Sequence, residues 1–156
     1  MSVADKGIDF GPPHFKIAMH TVVRLAHKNT ILSSAAIAGQ VESHATFMRR
    51  VLNSLVQAGI VESRGGRDGG YRLKKQVDQL TLGEIYEAVQ AGRREACDEK
   101  DGCMEREGEC AEAGALLDQQ LELILHEAES QTIQYLHRFT VKQVMHRIPF
   151  FIECES

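Results

Sequence analysis

The stretch Arg64-Gly-Gly-Arg-Asp-Gly-Gly70 constrains the fold more than any other. It sets four glycines between two short β-like runs, Ile60-Val-Glu-Ser63 and Tyr71-Arg-Leu-Lys74. Glycine adopts positive φ at little steric cost, so such a link lets the chain reverse tightly. The spacing predicts a β-hairpin with a mobile, basic tip. The sequence on either side has helical periodicity. The expected fold is therefore mainly α with one small β-hairpin.

The helices can be placed from their apolar stripes and end signals. From His14 to His27, Phe15, Ile17, Ala18, Met19, Val22, Val23, Leu25 and Ala26 recur at helical spacing, and Asn29-Thr30 ends the run. Ser33 or Ser34 can cap a short second helix through Ala35 to Ala38. Gly39 is expected to stop it in a left-handed exit conformation. Ser43 is a good cap for a third helix with Phe47, Met48, Val51, Leu52 and Leu55 inward, closed by Gly59. After the hairpin, Thr81-Leu-Gly-Glu84 is a capping-box signature, with Leu80 and Ile85 placed as a hydrophobic staple. Leu82, Ile85, Tyr86 and Val89 line the helix it opens. Ala115 to Phe139 reads as one long helix, without proline or glycine. Its stripe is Leu117, Leu121, Ile124 and Ala128, with Leu116, Leu123, Leu125 and Leu136 as a second apolar edge. A small domain has little use for so long a helix, so a second copy is expected to pack on it. Packing on its own domain is the plainer alternative.

These signals divide the chain into an N-terminal arm (1–13), a three-helix and hairpin domain (14–91), a cysteine loop (92–114), a dimerisation helix (115–148) and a tail (149–156). The chain has 156 residues, 43% of them hydrophobic and 26% charged, as in an ordinary soluble domain with its own core. No apolar run approaches the roughly 20 residues that span a bilayer. The first residues lack the apolar centre of a signal peptide, so a cytoplasmic protein with reduced thiols and no membrane partner is expected.

The net charge of −4 conceals an asymmetry. Residues 1–90 hold 11 Lys and Arg against 8 Asp and Glu, whereas residues 91–156 hold 7 against 14. Within 43–75 the bases Arg49, Arg50, Arg64, Arg67, Arg72, Lys74 and Lys75 face only Glu62 and Asp68. A basic concentration on an acidic chain points to a polyanion at one face. A solvated charged surface is the alternative.

Helix, helix, tight turn, helix, glycine-rich hairpin is the order of a winged helix-turn-helix. Its third helix enters the major groove of DNA with its N-terminal side chains toward the bases. The candidate contacts are Ser43, His44, Thr46, Phe47, Arg49 and Arg50 on that helix, with Arg64, Arg67 and Tyr71 on the wing. Hydroxyls, imidazole and guanidinium read bases or hold phosphates, and arginine suits a narrow minor groove. The alternatives are a core role for Phe47, a capping-turn role for His44 and plain solvent exposure for Arg49 and Arg50. Nothing suggests an enzyme. There is no nucleophile–base pair, and the glycine-rich link lacks the lysine-serine ending of a phosphate-binding loop.

Cys97, Cys103 and Cys110 stand in an acidic stretch with almost nothing apolar to bury. Such a segment needs something other than a hydrophobic core to order it. Three thiolates invite an iron–sulfur cluster or zinc, metal-free thiol oxidation is a further possibility, and an inert flexible loop is the bland one.

Arg64-Gly-Gly-Arg-Asp-Gly-Gly-Tyr71-Arg-Leu73 resembles the wing of the Rrf-type winged-helix transcriptional regulators (IscR- and NsrR-like). Thr81-Leu-Gly-Glu-Ile-Tyr-Glu-Ala-Val89 resembles the helix after that wing, and the cysteines and long helix come in the same order. The resemblance spans roughly 14–140. It implies a homodimeric transcription factor, expected to be a repressor, on a partly palindromic double-stranded DNA operator. It also implies an iron–sulfur cluster, [2Fe-2S] or [4Fe-4S], on Cys97, Cys103 and Cys110, sensing iron, nitric oxide or redox state. A cluster-free regulator of the same fold, controlled by thiol oxidation, a small ligand or a protein partner, is the alternative. This chain departs from the family in three places. Its second cysteine gap is six residues rather than five, Ala113 stands where a histidine is found, and Lys16 stands where the nitric-oxide sensor has an acidic ligand. His20 is the first candidate for the fourth ligand, followed by His14, Asp9, Glu109 and Glu112.

Overall fold

The computed structural model describes residues 13–39, 45–97 and 109–149. Its elements are helices α1 (Pro13–Lys28), α2 (Ser34–Ala38) and α3 (Ala45–Gln57), strands β1 (Val61–Arg64) and β2 (Gly70–Leu73), then helices α4 (Leu82–Cys97), α5 (Glu109–Leu136) and α6 (Val141–Met145). The mainly helical fold with one hairpin agrees with the sequence reading.

One core joins all of these elements except α5. Ala18, Val22 and Leu25 of α1, Ile37 of α2, and Met48, Val51, Leu52 and Leu55 of α3 are fully buried. Ile60, Val61, Leu80, Ile85, Ala88, Val89 and Val141 complete the cluster. Each large aliphatic side chain buried in this way contributes about 1.5–3 kcal/mol relative to exposure. Thr21 is a buried polar member that periodicity does not announce. Its hydroxyl donates to the Ile17 carbonyl at 2.8 Å, so no unpaired donor enters the core.

Asn29 ends α1 at φ 47°, with its N–H donating to the Leu25 carbonyl at 3.0 Å. Ser33 caps α2 by accepting from the Ala36 N–H. Gly39 does not take the expected left-handed exit. It stays right-handed at φ −62°, ψ −11°, and its N–H bonds back into the last turn. Gly59 does reverse the chain, at φ +70°, and its neighbour Ile60 enters the core.

The hairpin is antiparallel and in register from Val61↔Leu73 to Arg64↔Gly70. It is also stitched to the α1–α2 linker: Leu32 and Tyr71 exchange backbone hydrogen bonds at 3.0 and 2.8 Å. Gly70 makes this approach possible, because any Cβ there would overlap the Leu32 carbonyl.

The α4 capping box forms as read. Thr81 N–H donates to Glu84 Oε2 at 3.0 Å, and Glu84 N–H donates to Thr81 Oγ1 at 3.3 Å. Leu80 and Ile85, the staple pair, are both fully buried. Gly83 packs directly on the His137 ring. That ring is held between Thr81 Oγ1 (2.9 Å) and Glu87 Oε2 (3.2 Å), clasping the start of α4 to the end of α5.

The segment 115–148 is not one helix. α5 begins six residues earlier than expected and ends at Leu136; Thr140 is extended and opens α6 with its own capping box to Gln143. The cause is Val141, which is fully buried and donates its N–H to the Leu80 carbonyl at 2.9 Å. A continuous helix would carry Val141 away from that contact. α4 likewise continues to Cys97, so helix extends into both ends of the expected 92–114 loop.

Two outcomes follow. Gly70→Ala forces backbone against backbone and should cost about 1–3 kcal/mol in urea unfolding. Gly65→Ala, in open space on the same hairpin, should be near neutral. Burial pushes the Glu84 carboxyl up, but the Lys75 ammonium and the Thr81 N–H outweigh it and hold the group below its ordinary value of 4.5. Its stabilising contribution is therefore complete above that value and lost as pH falls below it. The stability gap between wild type and Glu84→Gln should close on acidification through this range, and a constant gap would remove Glu84 from the cap.

Candidate nucleic-acid interface

The periodicity that buries one side of α3 exposes the other. Thr46, Arg49, Arg50 and Asn53 fall at i, i+3, i+4 and i+7, one helical stripe, and all four are exposed. With Val56, Ser63 and Tyr71 they line a groove of about 410 Å³ between α3 and the hairpin. α3 contains two arginines and no carboxylate. The groove therefore presents guanidinium, amide and hydroxyl groups, the chemistry that recognises phosphates and base edges.

The wing adds two further cations. Glu62 is hydrogen-bonded to Arg72 across the strands at 2.8 Å and lies 3.9 Å from Arg64. That second separation on an exposed surface is worth little, so Arg64 can turn to another anion. Arg67 sits at the exposed tip beside Gly66, whose φ of +104° makes the turn, and has no ion-pair partner among the described residues.

The structure distributes the expected contacts unevenly. Thr46, Arg49, Arg50 and Tyr71 share the groove, and Arg64 and Arg67 lie on the wing beside it. Phe47 is half-buried against the core, its ring centroid 4.1 Å from that of His14, in keeping with the packing alternative. Ser43 and His44 lie outside the described residues. Asn53 and Ser63 were missed. Asn53 was legible as the next step of the Thr46–Arg49–Arg50 stripe. Ser63 needed the hairpin register, which sets it opposite Tyr71.

On the flank of α3 next to this stripe, one turn beyond Arg50, is Ser54, whose hydroxyl donates to the Arg50 carbonyl at 3.0 Å. Gly92 of α4 packs against this hydroxyl with no room for a Cβ. Five residues later α4 ends at Cys97, and Cys110 lies in the first turn of α5. Cys103 is outside the described residues, as are the side chains of all three cysteines. Two helix ends thus bracket the thiol segment. His20 is exposed on α1 and makes no hydrogen bond or ion pair among the described residues. His14 is engaged with Phe47. Glu109 and Glu112 occupy the first turn of α5, and Asp9 is outside the described residues. Among described side chains no three His, Cys, Asp or Glu converge on a metal position. Three soft thiolates with an imidazole in reserve are a donor set that fits an iron–sulfur cluster.

A helix-turn-helix core, an exposed cationic stripe on its third helix and a basic-tipped hairpin define a winged-helix DNA-binding protein. The chain belongs to the Rrf2 family of iron-dependent transcriptional regulators, whose model matches residues 13–147. YwgB of Bacillus subtilis, assigned by name to the HTH-type transcriptional regulators, is 28% identical over 128 residues, 80% of this chain and 76% of that protein. The HTH-type transcriptional regulator NsrR of Shouchella clausii is 24% identical over 131 residues, 84% and 83% of the two chains. Among solved structures, T. potens IscR superposes with a TM-score of 0.58 at 15% identity, over 90% of this chain and 88% of its own. Oxidized Staphylococcus aureus CymR gives 0.55 at 18%, over 85% and 93%. The family and these relatives are transcriptional regulators rather than enzymes, and this chain is a DNA-binding regulator of that kind. Among the described residues no helix is long and apolar enough to cross a membrane.

Arg67→Ala should weaken binding to most duplex sequences and reduce the slope of log affinity against log salt by about one unit. An unchanged slope would remove Arg67 from the interface. Asn53→Ala should weaken the preferred duplex more than an unrelated one; equal weakening would make Asn53 a phosphate contact only.

Proposed function

We propose that this chain is a cytoplasmic, homodimeric repressor whose hold on its operator is set by an iron–sulfur cluster on Cys97, Cys103 and Cys110. The observation that carries this reading is the path of α4. One helix runs from the capping box beside the wing, past the Gly92–Ser54 contact with α3, to the first cysteine. From Gly92 to Cys97 is about 7.5 Å of helix at about 1.5 Å per residue. A pull on Cys97 therefore acts on the flank of the helix that presents Arg49, Arg50 and Asn53, one turn beyond Arg50.

A bound cluster supplies iron that exchanges electrons and reacts with small oxidants, and it draws its thiolate ligands together. The remaining work falls to the chain. Cys97 transmits the position of the 98–108 segment into α4. Gly92 and Ser54 pass it to α3, and the Thr81–His137–Glu87 clasp keeps α5 in step with the wing. His20 is the candidate fourth ligand. The change is a shift between two poses of the reading heads, with the bound duplex favouring one of them.

The dimer reading rests on α5. Leu116, Leu117, Leu121, Leu123, Ile124 and Leu125 are 46–66% exposed in the single chain. A contiguous apolar face of this kind marks an interaction surface, and pairing two copies sets two wings on one duplex. Leu117→Glu combined with Ile124→Glu should yield monomers in sedimentation velocity while leaving the domain folded. A dimer that survives would place the interface elsewhere.

The cluster is tested by anaerobic purification with an absorption spectrum and iron and sulfide analysis, repeated with each cysteine changed to serine. The reading expects a coloured wild-type protein and loss of iron in each variant. A colourless, iron-free wild type would transfer control to the alternative, a cluster-free regulator governed by its thiols, a small ligand or a protein partner.

A further inference from the structure

The basic stretch noted in the sequence splits into two groups in the structure. Arg49, Arg50, Arg64 and Arg67 flank the α3–wing groove. Arg72, Lys74 and Lys75 instead line a separate cavity of about 380 Å³ at the base of the hairpin, joined there by Lys142 of α6. Lys74 lies four residues beyond the tip end of β2, about 13 Å at a strand rise of about 3.3 Å per residue. The DNA reading does not use this second group.

We propose that this cavity binds a small organic anion, a carboxylate or phosphate carried on an apolar body. Two of its four cations are already neutralised: Arg72 by Glu62 at 2.8 Å and Lys75 by Glu84 at 2.7 Å. Lys74 and Lys142 have no ion-pair partner among the described residues, and the single carboxylate in the lining is Asp78. Both lysines are anchored through their backbones. Lys74 N–H donates to the Ile60 carbonyl at 2.9 Å and Lys142 N–H to the Val77 carbonyl at 3.0 Å. Leu73 and Val77 add a small apolar patch to a lining that is otherwise mainly polar. Two unspent ammonium groups beside a small apolar patch match an oxyanion attached to a compact hydrocarbon body, and the volume lies in the range of about 300–1,000 Å³ typical of small-molecule sites. An anion held by both lysines ties the foot of the wing to α6, the element that follows the α5 helix. Its occupancy therefore bears on where the wing sits relative to α5.

The probes are phenyl phosphate and benzoate, with benzyl alcohol as the uncharged control, titrated calorimetrically into the full-length protein. At least one anion should bind saturably at a single site per chain, and the alcohol should not. Lys74→Gln with Lys142→Gln should lower that affinity by about tenfold or more while leaving the circular dichroism spectrum and duplex affinity unchanged. The proposal is overturned if neither anion saturates or if the double variant binds it equally well. It is also overturned if the double variant loses duplex affinity with a shallower salt dependence, since the lysines would then hold DNA phosphate. Arg67→Ala should leave the anion titration untouched, so this site and the DNA face fail or succeed separately.

Discussion

Helix α4 packs against α3 through the shared core and, at residue 92, against the Ser54 side chain. The Ser54 hydroxyl occupies the space a Cβ would need. A glycine in a helix interior costs about 1 kcal/mol relative to alanine, so the position is not there to favour the helix itself. It leaves the Ser54 hydroxyl room to stay on the Arg50 carbonyl. Interiors packed this tightly do not deform smoothly; they shift between discrete arrangements. The contact joins α3 and α4, with the candidate nucleic-acid face on one side and the thiol segment at one end.

Most of the fold was legible because its signals are local. The stripes of α1 and α3, the Thr81–Glu84 capping box and the glycine-rich hairpin each depend on a few neighbouring residues and formed where the sequence placed them, whereas the bounds of α4 and α5 shifted. What escaped depends on distant partners. Val141 reads as another residue of a long helix until its burial beside Leu80 is known. The stitch between Leu32 and Tyr71 joins segments whose pairing no periodicity reveals. Gly39 carried a strong left-handed signal, yet the turn after α2 continues right-handed. The candidate site divides in the same way. The Thr46–Arg49–Arg50 stripe was readable, and Asn53 followed from the same period. Ser63 required the register, and Phe47 required the His14 ring.

Charge is segregated at two scales. The acidic second part of the sequence keeps the chain net negative, while the cations of residues 43–75 gather on the α3–wing side and at the wing's foot. The first group meets a groove with no carboxylate from α3. The second splits between the Glu62 and Glu84 ion pairs and a mainly polar cavity whose lining holds one carboxylate, Asp78. Sequence alone shows one basic stretch. The hairpin, by reversing direction, turns it into two surfaces with different chemistry. Among the described residues α5 contributes nothing to the core cluster and carries most of its leucines into solvent, the observation behind the proposed pairing of two copies.

The account stands on movement passing from Cys97 through α4 to the front of α3. Its most direct measurement is the affinity of the cluster-loaded and cluster-free forms of the same preparation for one duplex enriched from genomic fragments, at one fixed salt concentration. A coupling of ordinary size, about 1–3 kcal/mol, predicts that the two affinities differ by about fivefold or more. Equal affinities would mean that nothing happening at the thiols reaches the DNA.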